Sequence, residues 1–176
     1  MQLITRHIRD IPDFPKPGIL FKDLTPLLGN HEALSFACRE LVRPFRDAGI
    51  TAVLGMEARG FVFGALAAHE LKVGFVPLRK PGKLPAATDS VRYDLEYGSA
   101  ELHMHVDAIG PDDTVLLVDD LIATGGTALA GVELLRGAGA HVVGASFVID
   151  LPGLGGAARL RASGVAVDTL VEFEGE

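Results

Sequence analysis

Residues 115–128, Val-Leu-Leu-Val-Asp-Asp-Leu-Ile-Ala-Thr-Gly-Gly-Thr-Ala, constrain the fold more than any other stretch of the chain. The unbroken apolar run up to Val118 suits a strand buried on both faces, the habit of parallel strands in α/β domains. It ends in two adjacent carboxylates, Asp119 and Asp120, and then in Thr124-Gly125-Gly126-Thr127 at the head of a helical pattern. Ligands of open parallel sheets sit outside the carboxyl ends of the strands. Neighbouring residues on a strand point to opposite faces, so the two acids can hold different atoms of one ligand. Carboxylates accept hydrogen bonds, which makes the hydroxyls of a sugar diol natural targets. A helix start with free N–H groups and two positions lacking Cβ is an anion cradle, to which the Thr124 and Thr127 hydroxyls can add donors. A diol grip followed by a phosphate cradle describes a ribose 5-phosphate site.

The remaining periodicities fit one α/β domain over residues 1–176. Residues 51–57 and 74–80 read as strands, with Pro77 marking the second as an edge or irregular end. Residues 60–71 read as a helix packed all round with small and apolar side chains. Asn30 can cap a helix over 31–47, whose apolar stripe includes Ala33, Ala37, Cys38 and Leu41, and Pro44 should bend or shorten it. A helix is expected over 126–137, and strands over 101–109, 114–119, 141–149 and 165–173. Strands alternating with helices imply a mostly parallel sheet with helices on both faces. Residues 1–30, broken by four prolines, read as irregular. Residues 81–100 read as a functional loop or lid.

Charge and motif content narrow the function. The chain has 16 basic and 23 acidic residues, a net charge of −7, which argues against nucleic acid as the main partner. No apolar run is long enough to span a bilayer, and the first residues lack a signal-peptide pattern, so a cytoplasmic location is expected. Cys38 is the single cysteine and falls on an apolar helical stripe, as a core residue would. His103 and His105 share a strand face but lack a third metal ligand. No P-loop string occurs. Residues 153–158, Gly-Leu-Gly-Gly-Ala-Ala, match a dinucleotide fingerprint, but too little chain follows to build the rest of such a domain, so a glycine-rich turn is expected.

The 115–127 segment resembles the phosphoribosyl pyrophosphate signature of the type I phosphoribosyltransferases. Residues 11–28 (IPDFPKPGILFKDLTPLL), 55–61 (GMEARGF) and 79–98 (RKPGKLPAATDSVRYDLEYG) are similar to stretches of the adenine-specific members, in the same order. The resemblance implies the family fold with a small N-terminal hood over 1–30 and a flexible catalytic loop over 81–100. It implies transfer of 5-phosphoribosyl from 5-phospho-α-D-ribose 1-diphosphate to N9 of adenine, giving AMP and pyrophosphate in purine salvage. Magnesium would accompany the donor, held through substrate and water rather than directly by protein, and the chain would form a homodimer.

The same resemblance assigns residues. Asp119 and Asp120 would bind the ribose hydroxyls and favour a cation-like ribosyl carbon. Ala123, Thr124, Gly125, Gly126 and Thr127 would hold the 5-phosphate. Glu57, Ala58 and Arg59 would form the pyrophosphate loop, with a cis peptide between Glu57 and Ala58. Arg79, Lys80 and Lys83 would bind pyrophosphate, at least partly from a neighbouring subunit. Glu96 would stabilise charge developing at N7 of adenine. Main-chain groups around Leu20, Phe21 and Lys22 would read the adenine edge, and an apolar side chain would line its face. The alternatives are a 6-oxopurine or xanthine phosphoribosyltransferase, against which Leu20–Asp23 and Glu96 argue, and a non-catalytic sensor of the pyrophosphate donor that binds nucleic acid, against which the acidic balance argues.

Overall fold

The computed structural model describes residues 1–94 and 98–174. The chain opens with a short helix, α1 (Gln2–Thr5), an antiparallel hairpin of β1 (Arg9–Pro12) and β2 (Leu20–Asp23), and a one-turn helix, α2 (Thr25–Leu28). The prolines that made this segment read as irregular sit where a missing N–H does no harm. Pro12 ends β1, Pro15 and Pro17 lie in the turn, and Pro26 occupies the first turn of α2. The hairpin pairs Arg9 with Asp23 and Pro12 with Leu20, a tertiary fact that single-strand periodicity does not reveal.

Next comes α3 (His31–Val42), capped by the Asn30 side chain, which accepts a hydrogen bond from the Ala33 N–H at 2.9 Å. Pro44 does shorten the helix: a 3-10 turn at Arg43–Phe45 replaces its last expected residues. The chain then runs through β3 (Ala52–Met56), α4 (Gly60–Leu71), β4 (Gly74–Leu78), β5 (Thr88–Asp94), β6 (Ser99–His105) and β7 (Thr114–Ile122). It finishes with α5 (Gly126–Gly137), β8 (His141–Asp150), α6 (Gly156–Ala162) and β9 (Val167–Glu172).

Five strands form a parallel sheet in the order β4-β3-β7-β8-β9, and β4, with Pro77, is indeed at an edge. Alternation along β7 divides the core. Val115 and Leu117 pack with Leu54, Val132 and Leu135 on the α5 side. Leu116 and Val118 pack with Leu41, Phe63 and Ala67 on the side of α3 and α4. Cys38 is buried in that second layer, and burial pushes its thiol pKa up to about 12, so it is an inert core residue.

Among the described residues, the segment expected as a functional loop over 81–100 contains paired strands: β5 and β6 pair from Thr88 opposite His105 to Asp94 opposite Ser99, and Val91 and Tyr93 pack against the α5 core. Strand β7 also runs past Asp119 to Ile122. Its pairing with β3 stops at Val118, whereas β8 continues alongside, with Leu121 opposite Ile149 and Ile122 opposite Asp150. Both acids therefore stand where the sheet has narrowed by one strand and a flank of β7 is open.

Candidate active site

The segment after β7 closes on a cavity of about 120 Å³, lined among others by Asp119, Ala123, Thr124, Gly125, Gly126 and Thr127. Gly125 caps α5 in the left-handed region, φ 81°, a conformation that glycine adopts at little cost. No side chain caps the helix start, so its first N–H groups are left for another acceptor. Thr127 Oγ1 donates to the Tyr93 hydroxyl at 3.3 Å, which ties the β5–β6 hairpin to the cradle.

The two acids do diverge. Asp119 lines the cavity, while Asp120 is buried and its Oδ2 pairs with Arg59 Nε. Asp119 Oδ1 accepts the Asp120 N–H at 2.8 Å. Burial, and then the neighbouring Asp120 carboxylate, push the Asp119 pKa well above the usual carboxylate range. The cavity thus holds an acid whose ionisation is disfavoured until a ligand supplies hydrogen-bond donors or positive charge. Space for that carboxylate comes from Gly60, the first residue of α4: a Cβ there would lie 2.4 Å from Asp119 Oδ1.

The turn between β3 and α4 carries the expected cis peptide, Glu57–Ala58. Glu57 Oε2 accepts from the Lys80 backbone N–H at 3.1 Å and from Arg79 Nε at 3.2 Å. The Lys80 N–H first, and Arg79 after it, hold the Glu57 pKa below the usual range. Arg79 Nη1 in turn donates to the Lys83 carbonyl at 3.0 Å, and its guanidinium lies 5.9 Å from the Phe61 ring centre. Glu57 therefore acts on the cationic run 79–83 by tying down its start.

The N-terminal hairpin borders the same region. Leu20 is exposed, and the half-buried Phe21 ring makes an edge contact with Phe14 at 5.1 Å. The Arg59 guanidinium stands 5.6 Å from the Phe21 ring centre, so Arg59 spans from Asp120 to the hairpin. Lys22 behaves otherwise: its buried ammonium donates to Asp10 Oδ1 at 2.7 Å and lies 4.2 Å from the Phe173 ring centre. Its side chain braces the hairpin.

The family model of the phosphoribosyl transferase domain matches residues 28–168. The chain belongs to the phosphoribosyltransferase family. The sequence is 62% identical over 168 residues to the adenine phosphoribosyltransferase of Methylobacterium sp. strain 4-46, covering 96% of this chain and 93% of that one. A crystal structure of adenine phosphoribosyltransferase from Rhodothermus marinus superposes with a TM-score of 0.92 at 50% identity, covering 98% and 97% of the two chains. The Giardia lamblia enzyme, solved with 9-deazaadenine, gives 0.91 at 36% identity, covering 97% and 96%.

In this phosphoribosyltransferase, then, the structure brings Asp119 together with residues 123–127, pairs Asp120 with Arg59, and sets Arg79 and Lys80 against Glu57, with the Lys83 carbonyl held by Arg79. Glu96 lies outside the described residues. Sequence reading missed the Tyr93 contact to Thr127 and the Lys22–Asp10 pair, since each joins residues that lie apart in the chain and meet only in the fold. Gly60 was legible as part of the 57–60 loop, but its close approach to Asp119 was not, because that depends on where β7 ends beside α4.

Proposed function

We propose that this phosphoribosyltransferase acts on adenine, transferring 5-phosphoribosyl from 5-phospho-α-D-ribose 1-diphosphate to N9 to give AMP and pyrophosphate. It is a glycosyltransferase of purine salvage. The observation that carries the reading is the shared cavity: Asp119 and the bare start of α5 face the same space, a diol acceptor beside an anion cradle.

The chemistry follows from the residues. As pyrophosphate leaves, the ribosyl carbon becomes cation-like, and the Asp119 and Asp120 carboxylates favour that charge while accepting the ribose hydroxyls. Residues 123–127 hold the 5-phosphate, which fixes the sugar for attack. Arg59, Arg79, Lys80 and Lys83 offset charge building on the leaving group, with part of this set supplied across a homodimer. Leu20, Phe21 and Lys22 present main-chain groups to the adenine edge. A 6-oxopurine offers the opposite donor–acceptor pattern there and would leave groups unpaired.

Among the described residues, no three His, Cys, Asp or Glu side chains converge on a metal-sized site. Magnesium dehydrates reluctantly and keeps several waters, so an ion on the donor's phosphates would be held through substrate and water, with the Asp119 and Asp120 carboxylates accepting hydrogen bonds from those waters. When bound, it neutralises charge on the pyrophosphate. A cytoplasmic location belongs to the same proposal; among the described residues no helix is long and apolar enough to cross a membrane.

The decisive test is AMP formation from adenine and the pyrophosphate donor with magnesium, repeated with hypoxanthine, guanine and xanthine. Turnover with adenine should exceed that with each 6-oxopurine by about 10⁴-fold or more. Comparable turnover on a 6-oxopurine would replace the adenine reading. Glu96→Gln is expected to slow single-turnover chemistry more than it weakens donor binding, because a carboxylic acid near N7 stabilises charge that appears only as N9 attacks. Equal losses in the two measurements would remove that role from Glu96.

A further inference from the structure

The Gly-Leu-Gly-Gly-Ala-Ala stretch at 153–158, which fits no cofactor fold here, lies against the back of the phosphate cradle. Gly155 caps α6 with φ 71° and has open space around it. Gly156 does not: a Cβ on it would lie 2.2 Å from the Ala123 carbonyl oxygen, 2.7 Å from the Gly125 nitrogen and 2.9 Å from the Thr124 carbonyl carbon. The contact is reciprocal, since a Cβ on Gly125 would lie 2.9 Å from Gly156 Cα. All of these neighbours are backbone, which cannot rotate away as a side chain can. Two hydrogen bonds fasten the surfaces together. The Gly156 N–H donates to the Ala123 carbonyl at 3.0 Å, and the Leu151 N–H donates to the Ile122 carbonyl at 3.1 Å.

We propose that Gly156 is a positioning residue for donor binding: its missing side chain lets α6 seat against residues 123–125 and sets where the cradle amides point. This rests on the reading of residues 123–127 as the 5-phosphate cradle. An added methyl group at 156 must push the 123–125 backbone toward the cavity or α6 away from it. Displacements of this order lower binding and turnover steeply when the displaced groups orient a substrate.

The test compares Gly156→Ala with Gly155→Ala, which strains a left-handed turn without meeting the cradle. Gly156→Ala should raise the donor KM and the AMP Kd by about ten- to hundredfold. Gly155→Ala should lower the Tm yet leave both constants within about twofold. Unchanged constants in Gly156→Ala, or equal increases in both variants, overturn the proposal. If Gly156→Ala yields no folded protein, amide hydrogen exchange on the unaltered protein decides. Ribose 5-phosphate should slow exchange at Gly156 together with residues 125–127. Protection at 125–127 with none at Gly156 overturns the positioning role, whereas no protection at 125–127 overturns the cradle assignment itself.

Discussion

Asp119→Asn is expected to make the protein more stable and nearly inactive. The folded state holds the Asp119 carboxyl in a site where burial and Asp120 disfavour its charge, so its folded pKa is raised. Below the ordinary aspartate pKa of about 3.9, both folded and unfolded chains carry the proton, and the substitution changes little. Above it, the unfolded chain releases the proton more readily than the folded one, and the native state loses stability as pH rises. Asparagine has no such proton to lose, so its advantage should appear above that pH and persist at neutrality. Each 1 kcal/mol gained would raise Tm by about 2–4 °C in a chain of this size. The same substitution removes a negative charge from the cavity in which a cation-like ribosyl carbon is to be stabilised, and turnover should fall by about 10²- to 10³-fold. In the unaltered protein, the acid limb of kcat/KM for the donor, which reports the free protein, should lie above the normal aspartate range and vanish in Asp119→Asn. A lower Tm at neutral pH, or near-normal turnover, would contradict this account.

Arg59→Met should have the opposite effect on stability. Arg59 pairs with Asp120, which is 6% exposed, and its guanidinium reaches the Phe21 ring. Removing one partner of a buried pair costs about 3–5 kcal/mol, because the other charge is left stranded. The Arg59 side chain is 54% exposed, so water can partly replace it, and a loss of about 1–2 kcal/mol is expected. Tm should fall by about 2–8 °C. Binding should suffer twice, since one side chain serves both the acid pair and the aromatic edge of the N-terminal hairpin. Calorimetry of the donor and of adenine should each show weakening by at least about tenfold, or 1.4 kcal/mol. Loss of donor affinity with adenine binding intact would confine Arg59 to the leaving-group side. The contrast in sign matters: two neighbouring groups are predicted to move Tm in opposite directions, while one substitution lowers turnover and the other weakens binding. A general loss of folding could not produce that pattern.

Much of this site was readable before any fold existed. The apolar run of β7 and the acid pair and glycines that follow it are local features, and backbone physics assigns them to a strand, a turn and a bare helix start wherever they occur. The limits of α4 and α5, the edge position of β4 and the shortening of α3 by Pro44 followed from residue spacing in the same way. What only the tertiary structure decided is pairing between distant parts of the chain. The extension of β7 to Ile122 depends on β8 outlasting β3, the hairpin at 9–23 and the pairing of 88–94 with 99–105 depend on cross-strand partners, and Arg59 finds Asp120 only because α4 begins beside the end of β7. Gly156 is the sharpest case. In the sequence it belongs to an ambiguous glycine cluster; in space it is the gap into which the Ala123 carbonyl and the Gly125 amide fit. A periodicity reports which face of its own element a residue occupies, but the room available to a Cβ is set by backbone dozens of residues away.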